Sequence, residues 1–365
     1  MTQRNIHKKK IKVLIIDDSI SMRKFFSSLL SFDHQIEVIA TAQDPFEAFK
    51  IIEQKKPDVI TLDLHMPKMD GFTFLQKMMQ QYPTPTIIIS SYAKENSENA
   101  LKALTYGAID IFPKQVIQPG SNVEVIAKEL IHKVKLAARI SLKPLLKIES
   151  IVTKKQHINP LPRNPINKQA IKLIAIAAST GGTDALRKIL SQLPENIPSI
   201  LIVQHMAKEF LQGFANNLNN VCQFKVKLAE QNETIEPGKA YLAPGDLHME
   251  ILRQQHNYII RLKEGPLIQG VRPSANPLFS SVARNVGKYA LGIILTGMGA
   301  DGSDGLLELK KVGSLTIAQD EETSVVFGMP KKAIAKGAVD LVLPLNTIAE
   351  KIILECSDSS QQLVS

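Results

Sequence analysis

The stretch IKLIAIAASTGGTDAL, residues 171–186, reads as a strand that turns into a helix. Ile171–Ala178 is a nearly continuous apolar run of strand length, the pattern of a strand buried on both faces of a parallel sheet. It stops at Ser179-Thr180-Gly181-Gly182, where a helix-forming segment begins. Such a corner leaves free backbone N–H groups and the positive end of a helix dipole beside Ser179. A serine there can be a helix N-cap, part of a phosphate-cradling turn, or a nucleophile. The phosphate reading is the weak one, because neither G-x-G-x-x-G nor G-x-x-x-x-G-K-[ST] surrounds it.

A nucleophilic serine needs a base, and the base needs an orienting acid. The next apolar run, Ser199–Val203, ends in Gln204-His205, and a later one, Leu291–Leu295, runs into a glycine-rich turn carrying Met298 and Asp301. In a parallel sheet the carboxyl ends of strands share one edge, so Ser179, His205 and Asp301 are expected together. Their order differs from that of the α/β-hydrolases, but convergent triads occur in several orders. The Met298 amide, with help from the Ser179-Thr180-Gly181 turn, is the expected oxyanion hole. His248 alternates with Leu247 and Met249 and reads as a sheet-face residue, whereas Asp184 and Asp304 sit where acids complement helix dipoles. Tyr241–Leu262 reads as antiparallel strands around a polar turn at 253–257.

The N-terminal part alternates strand and helix patterns, with strands expected at Lys12–Asp17, Glu37–Ala40, Val59–Leu62, Thr86–Ser90 and Ile109–Phe112. Asp17, Asp18 and Asp63 stand at strand ends and would converge at one edge. Such a cluster repels itself without a cation, and hard oxygen ligands suit Mg²⁺. Ser90 and Lys114 add a hydroxyl and an ammonium to that edge, which makes it suited to accepting a phosphoryl group on a carboxylate. Taken alone, the paired acids also fit an N-cap at Asp18 for a helix starting near Ser19.

The expected architecture is α/β throughout. A five-stranded doubly wound parallel sheet occupies 1–132 and a basic, Pro/Asn/Lys-rich linker 133–170. An α/β domain with a mainly parallel sheet plus an antiparallel segment occupies 171–354, followed by a polar tail, 355–365. The length of 365 residues fits two domains. Of the net charge of +9, residues 1–12 and 133–172 together supply +14, so the remainder is net acidic. The basic excess therefore reads as solvated linker charge, and no basic, aromatic-interleaved face marks a nucleic-acid reader. No apolar segment approaches the ~18 residues of a membrane helix, and no signal-peptide pattern is present, so a cytoplasmic protein without membrane insertion is expected. Cys222 and Cys356 have neither disulfide-framework nor zinc spacing.

Asp17-Asp18, Asp63 followed by MPKMDG, Ser90-Ser91 and Lys114 resemble the receiver domain of two-component response regulators, over about 120 residues. The resemblance implies phosphorylation of Asp63 by a histidine kinase, Mg²⁺ held by Asp17, Asp18 and Asp63, and Ser90 and Lys114 sensing the phosphoryl oxygens. Pro113 precedes Lys114, where the family usually has proline after the lysine, and His65 occupies a variable family position. AASTGGTDAL (177–186), VQHM (203–206), FLQGFANNL (210–218), YLAPGDLHM (241–249), LTGMGADGSDGL (295–306) and Gly328-Met329-Pro330 are similar to the protein-glutamate methylesterases of bacterial chemotaxis. That resemblance implies a Ser179, His205, Asp301 triad that hydrolyses glutamate methyl esters on chemotaxis receptors and, in the family, deamidates receptor glutamines. The receiver would then gate the hydrolase by phosphorylation. A binding protein that has lost catalysis is the rival, whereas a transcriptional regulator would require a basic recognition helix, which the sequence lacks after 171.

Overall fold

The computed structural model describes residues 9–66, 69–90, 94–114, 122–140 and 171–356. Most of the expected linker, most of the polar tail, Ser91, and Pro67-Lys68 of the MPKMDG run lie outside the described residues. The chain divides into two units, Met1–Leu142 and Lys143–Ser365.

In the first unit five strands form one parallel sheet: β1 (Ile11–Ile16), β2 (Ile36–Ala42), β3 (Val59–Asp63), β4 (Thr86–Ser90) and β5 (Asp110–Pro113), in the order β2-β1-β3-β4-β5. Among the described residues, five helices connect or follow them: α1 (Ile20–Ser31), α2 (Pro45–Lys55), α3 (Gly71–Gln81), α4 (Lys94–Thr105) and α5 (Val123–Ala137). The helix starts are written in short polar side chains. Asp44 accepts the Phe46 and Glu47 amides ahead of Pro45, Asp70 accepts those of Phe72 and Thr73, and Asn122 caps α5. The first helix is capped by Ser19, which accepts the Met22 amide, so the alternative reading of Asp18 as the cap does not hold. Asp18 is thereby left for the pocket. Phe26 and Phe112, both fully buried, meet edge to face at 6.2 Å and tie α1 to the end strand.

The second unit is built on a seven-stranded sheet of β6 (Leu173–Ala178), β7 (Ser199–Gln204), β8 (Lys225–Leu228), β9 (Lys239–Leu242), β12 (Ala290–Ile294), β13 (Leu315–Gln319) and β14 (Leu341–Leu343). The order is β14-β13-β12-β6-β7-β9-β8, parallel throughout. Apart from it, β10 (His248–Gln254) and β11 (Asn257–Lys263) pair antiparallel. The helices are α6 (Gly182–Leu190), α7 (Lys208–Asn219), α8 (Ala275–Asn285), α9 (Ser303–Lys311), α10 (Met329–Ala335) and α11 (Leu345–Cys356). Tyr241, expected in the antiparallel segment, lies instead in β9 with Leu201 as its parallel partner. The change of direction occurs at Pro244-Gly245-Asp246, where Asp246 adopts φ +63° and Gly245 passes so close to Lys208 that a Cβ would not fit.

Strand β6 is central, and every residue of it is buried. From β6 the chain moves to β7 on one side and only later returns to lay β12 on the other. The strand order thus reverses between β6 and β12, the point at which open parallel sheets form a crevice beyond their carboxyl ends. Gly181 takes φ +78° at the start of α6, and a Cβ there would lie 2.6 Å from Val325 Cβ. Gly181→Ala is therefore expected to destabilise the second unit by more than the ~1–2 kcal/mol of a left-handed non-glycine residue, read as a lower urea midpoint of its transition.

Candidate functional site

Ser179, His205 and the turn leading to Asp301 lie just beyond the ends of β6, β7 and β12, the three adjacent central strands. The ladders continue past the strands and fix the corner: His205 N–H donates to Ala178 O at 3.0 Å, and Ser179 N–H to Thr296 O at 3.0 Å. Close packing requires glycine at 297, where a Cβ would lie 2.7 Å from Ser179 Cβ. Thr296 pins the same corner, donating its hydroxyl to Thr180 O and accepting the Val326 amide, while its own N–H goes to Gln319 Oε1.

His205 and Asp301 meet directly: Nε2 lies 2.8 Å from Asp301 Oδ2. With Nε2 carrying the proton toward the carboxylate, Nδ1 is the ring nitrogen with a free lone pair. Ser179 Oγ makes no hydrogen bond to the ring among the described residues. Asp301 itself is 3% exposed and receives four donors. His205 Nε2 and Ala275 N–H point to Oδ2, and the Ser274 hydroxyl and Asn276 Nδ2 to Oδ1. Burial alone would raise its pKa, but the hydrogen bond and charge of His205, with the Ala275 amide and Ser274 hydroxyl, outweigh burial and hold it below the usual carboxylate range. The carboxylate stays ionised beside the imidazole.

Two of these donors, Ser274 and Asn276, were not singled out in the sequence. Ser274 is the N-cap of α8, and the signal available was Pro273-Ser274 ahead of a helical run. Nothing local connects that cap to a carboxylate more than 20 positions away. His248, expected on a sheet face, is the first residue of β10 and pairs with Lys263; its buried ring has Nε2 on Pro266 O at 3.0 Å and Nδ1 accepting the Ser274 amide at 3.1 Å. Asp184 is paired with Arg187 and Lys188, and Asp304 with Lys336 and Gln269, all away from the triad contacts. Met298 is half-buried on the bend between Gly297 and Gly299, and its N–H has no acceptor among the described residues.

The first unit brings its five expected residues to one edge. Asp17, Asp18 and Asp63 place carboxylate oxygens within 4.8 Å of one another. Lys114 Nζ lies 2.5 Å from Asp63 Oδ2 and 3.0 Å from Asp17 Oδ2, the latter without hydrogen-bond alignment. Ser90 ends β4 beside Pro113 and is buried. Burial, and then the neighbouring Asp63 charge, raise the Asp17 pKa against the pull of Lys114. Burial acts against the Lys114 ammonium too, but the two carboxylates prevail and raise its pKa. A buried carboxylate oxygen without an aligned donor, between two further carboxylates, fits a hard divalent cation.

Comparison with known proteins follows the same division. The family model described as CheB methylesterase matches residues 174–352, and that described as response regulator receiver domain matches 13–125. A protein-glutamate methylesterase/protein-glutamine glutaminase of Bdellovibrio bacteriovorus is 46% identical over 352 residues, covering 94% of this chain and 97% of that one. A Rhodopseudomonas palustris protein of the same name, from a group 3 operon, is 47% identical over 349 residues, covering 95% and 96%. Among solved structures, the CheB methylesterase catalytic domain of Thermotoga maritima superposes with a TM-score of 0.50 at 39% identity, over 51% of this chain and 99% of that domain.

Because the Asp301 pKa is depressed in the folded state, the stability it contributes is complete above the ordinary value of 3.8 and is lost as pH falls through the lower folded value. Asp301→Asn is expected to flatten the acid limb of the unfolding midpoint below pH ~4, measured by thermal unfolding across a pH series.

Proposed function

The chain belongs to the protein-glutamate methylesterase/protein-glutamine glutaminase family. From that premise we propose that it hydrolyses glutamate methyl esters on chemotaxis receptors and deamidates receptor glutamines by a Ser179, His205, Asp301 mechanism. We infer further that phosphorylation of Asp63 activates this reaction. The observation that carries the reading is the His205–Asp301 pair, 2.8 Å apart, at the strand end next to that of Ser179.

In this reading Ser179 Oγ attacks the ester carbonyl as His205 Nδ1 takes its proton. The carbonyl oxygen becomes an oxyanion facing the Met298 amide, with Thr180 and Gly181 of the corner turn beside it. His205 returns the proton to the methoxy oxygen, the C–O bond breaks, and methanol leaves an acyl-Ser179. Water then attacks with one proton passing to Nδ1; that proton returns to Ser179 Oγ as the acyl C–O bond breaks, and the released glutamic acid loses its other proton to solvent as the carboxylate. With glutamine the leaving group is ammonia. Asp301 takes no proton at any step; its four donors keep it a carboxylate that orients the ring and stabilises the imidazolium.

The first unit supplies regulation. Asp63 would accept a phosphoryl group from a phosphohistidine of a chemotaxis histidine kinase. Asp17, Asp18 and Asp63 would hold Mg²⁺, which when bound neutralises phosphoryl oxygen charge. Lys114, already on Asp63, and Ser90, at the neighbouring strand end, would take the new phosphoryl oxygens as partners. A cytoplasmic location fits this partner set, and no helix among the described residues is long and apolar enough to cross a membrane.

Methanol release from methylated receptor membranes tests both parts. Ser179→Ala is expected to lower release more than ~10³-fold. A small-molecule phosphodonor with Mg²⁺ is expected to raise release from the native chain and not from Asp63→Asn. Undiminished release from Ser179→Ala would remove the nucleophile assignment, and no release from folded native chain on its cognate methylated receptors would favour a binding role without catalysis.

A further inference from the structure

Gln204 is the last residue of β7, and only 2% of it is exposed. Its side-chain nitrogen carries two hydrogens, and they go to two particular carbonyls: Ser179 O at 2.9 Å and His205 O at 3.0 Å. One amide group thus bridges the backbone of the residue read as nucleophile and that of the residue read as base. The opposite amide orientation would set Oε1 against both carbonyl oxygens, so the hydrogen-bond pattern admits one placement.

The other end of the amide is held at a cost. Gln204 Oε1 is buried and accepts no hydrogen bond among the described residues. A buried acceptor in that state is destabilising, so a side chain serving only to fill this space would be apolar. The chain also leaves room for this oxygen. A Cβ on Gly182 would lie 2.3 Å from Oε1 and 2.6 Å from Ala178 Cβ, so glycine at that position lets the amide reach under the corner. Ser179 O accepts the Gly182 amide at 2.7 Å as well, which fills both of its lone pairs.

We infer that Gln204 is a positioning residue for hydrolysis: its amide clamps the Ser179 and His205 carbonyls and so sets the approach of Oγ to the imidazole. This rests on the reading of Ser179 and His205 given above. The clamp matters because no hydrogen bond joins Ser179 Oγ to the ring among the described residues, so their alignment is left to the backbone that carries them. Gln204 touches neither substrate nor the reacting atoms, and its effect appears in turnover rather than in receptor affinity.

The test uses the full chain, activated by phosphodonor and Mg²⁺, with Gln204→Met, which keeps length and removes both donors. The expected result is a kcat for methanol release lower by ~10–10²-fold with KM for methylated receptor membranes unchanged. Labelling of Ser179 by a fluorophosphonate should slow in parallel, and the unfolding midpoint should not fall. Native-like kcat and labelling rate would overturn the clamp, as would a kcat loss accounted for by a smaller folded fraction. If the methionine variant does not fold, Gly182→Ala, which presses on Oε1 while keeping the glutamine, must show the same kcat loss, and full activity there would overturn the clamp. Ser179→Ala separates the two ideas: retained release or labelling would sink the nucleophile assignment itself, whereas loss of both leaves the clamp to be judged by the position 204 result.

Discussion

The Asp301 carboxylate at the start of α8 is the interaction on which the sheet edge carrying Ser179 and His205 depends. Four donors from two chain segments meet on two oxygens, two of them from Ala275 and Asn276 in the first turn of an 11-residue helix. The helix terminus provides amides that would otherwise lack partners and a field that favours negative charge. In return the carboxylate anchors the helix against the turn after β12. The imidazole of His205 is the fourth partner, so its orientation follows from how that helix is seated. His248 extends the arrangement by one more link, holding the Ser274 amide from the first residue of β10.

The two units treat buried carboxylates in opposite ways. Asp301 is surrounded by neutral dipoles and one imidazole, and its ionised form is the comfortable one. Asp17 shares a pocket with two more acids, and one ammonium serves both it and Asp63. The first arrangement is complete as it stands, with both carboxylate oxygens held by donors. The second is short of positive charge, with three carboxylates set against one ammonium. Desolvation acts on both; the donor set determines the outcome.

Strand ends were legible because apolar runs stop where the chain turns, and parallel topology does the rest. Ser179, His205 and Asp301 therefore read correctly as neighbours at one sheet edge, as did the acid pocket of the first unit. The supports were not legible. Ser274 and Asn276 look like an ordinary helix start, and their bonds to Asp301 depend on a tertiary contact that no local pattern encodes. Gln204 looks like the polar end of a strand. Tyr241 reads as part of the hairpin because alternation continues across Pro244-Gly245, although the backbone changes sheets there. Ser19 and Asp18 compete for the same cap on composition alone, and backbone geometry decides for the serine.

The position of β6 has a consequence for how the protein ages and fails. Edge strands β14 and β8 and the separate β10–β11 ribbon can fray with the central ladder intact, whereas exposing the backbone around Ser179 means parting β6 from both β12 and β7. Openings of that size approach the full unfolding free energy of a domain. The ladder amides of β6 therefore belong to the part of the unit expected to exchange most slowly. Proteolytic nicks or thermal fluctuations at the sheet margins would shorten the molecule's lifetime before they blurred its catalytic geometry, so a population of ageing molecules would contain fewer competent enzymes rather than uniformly slower ones.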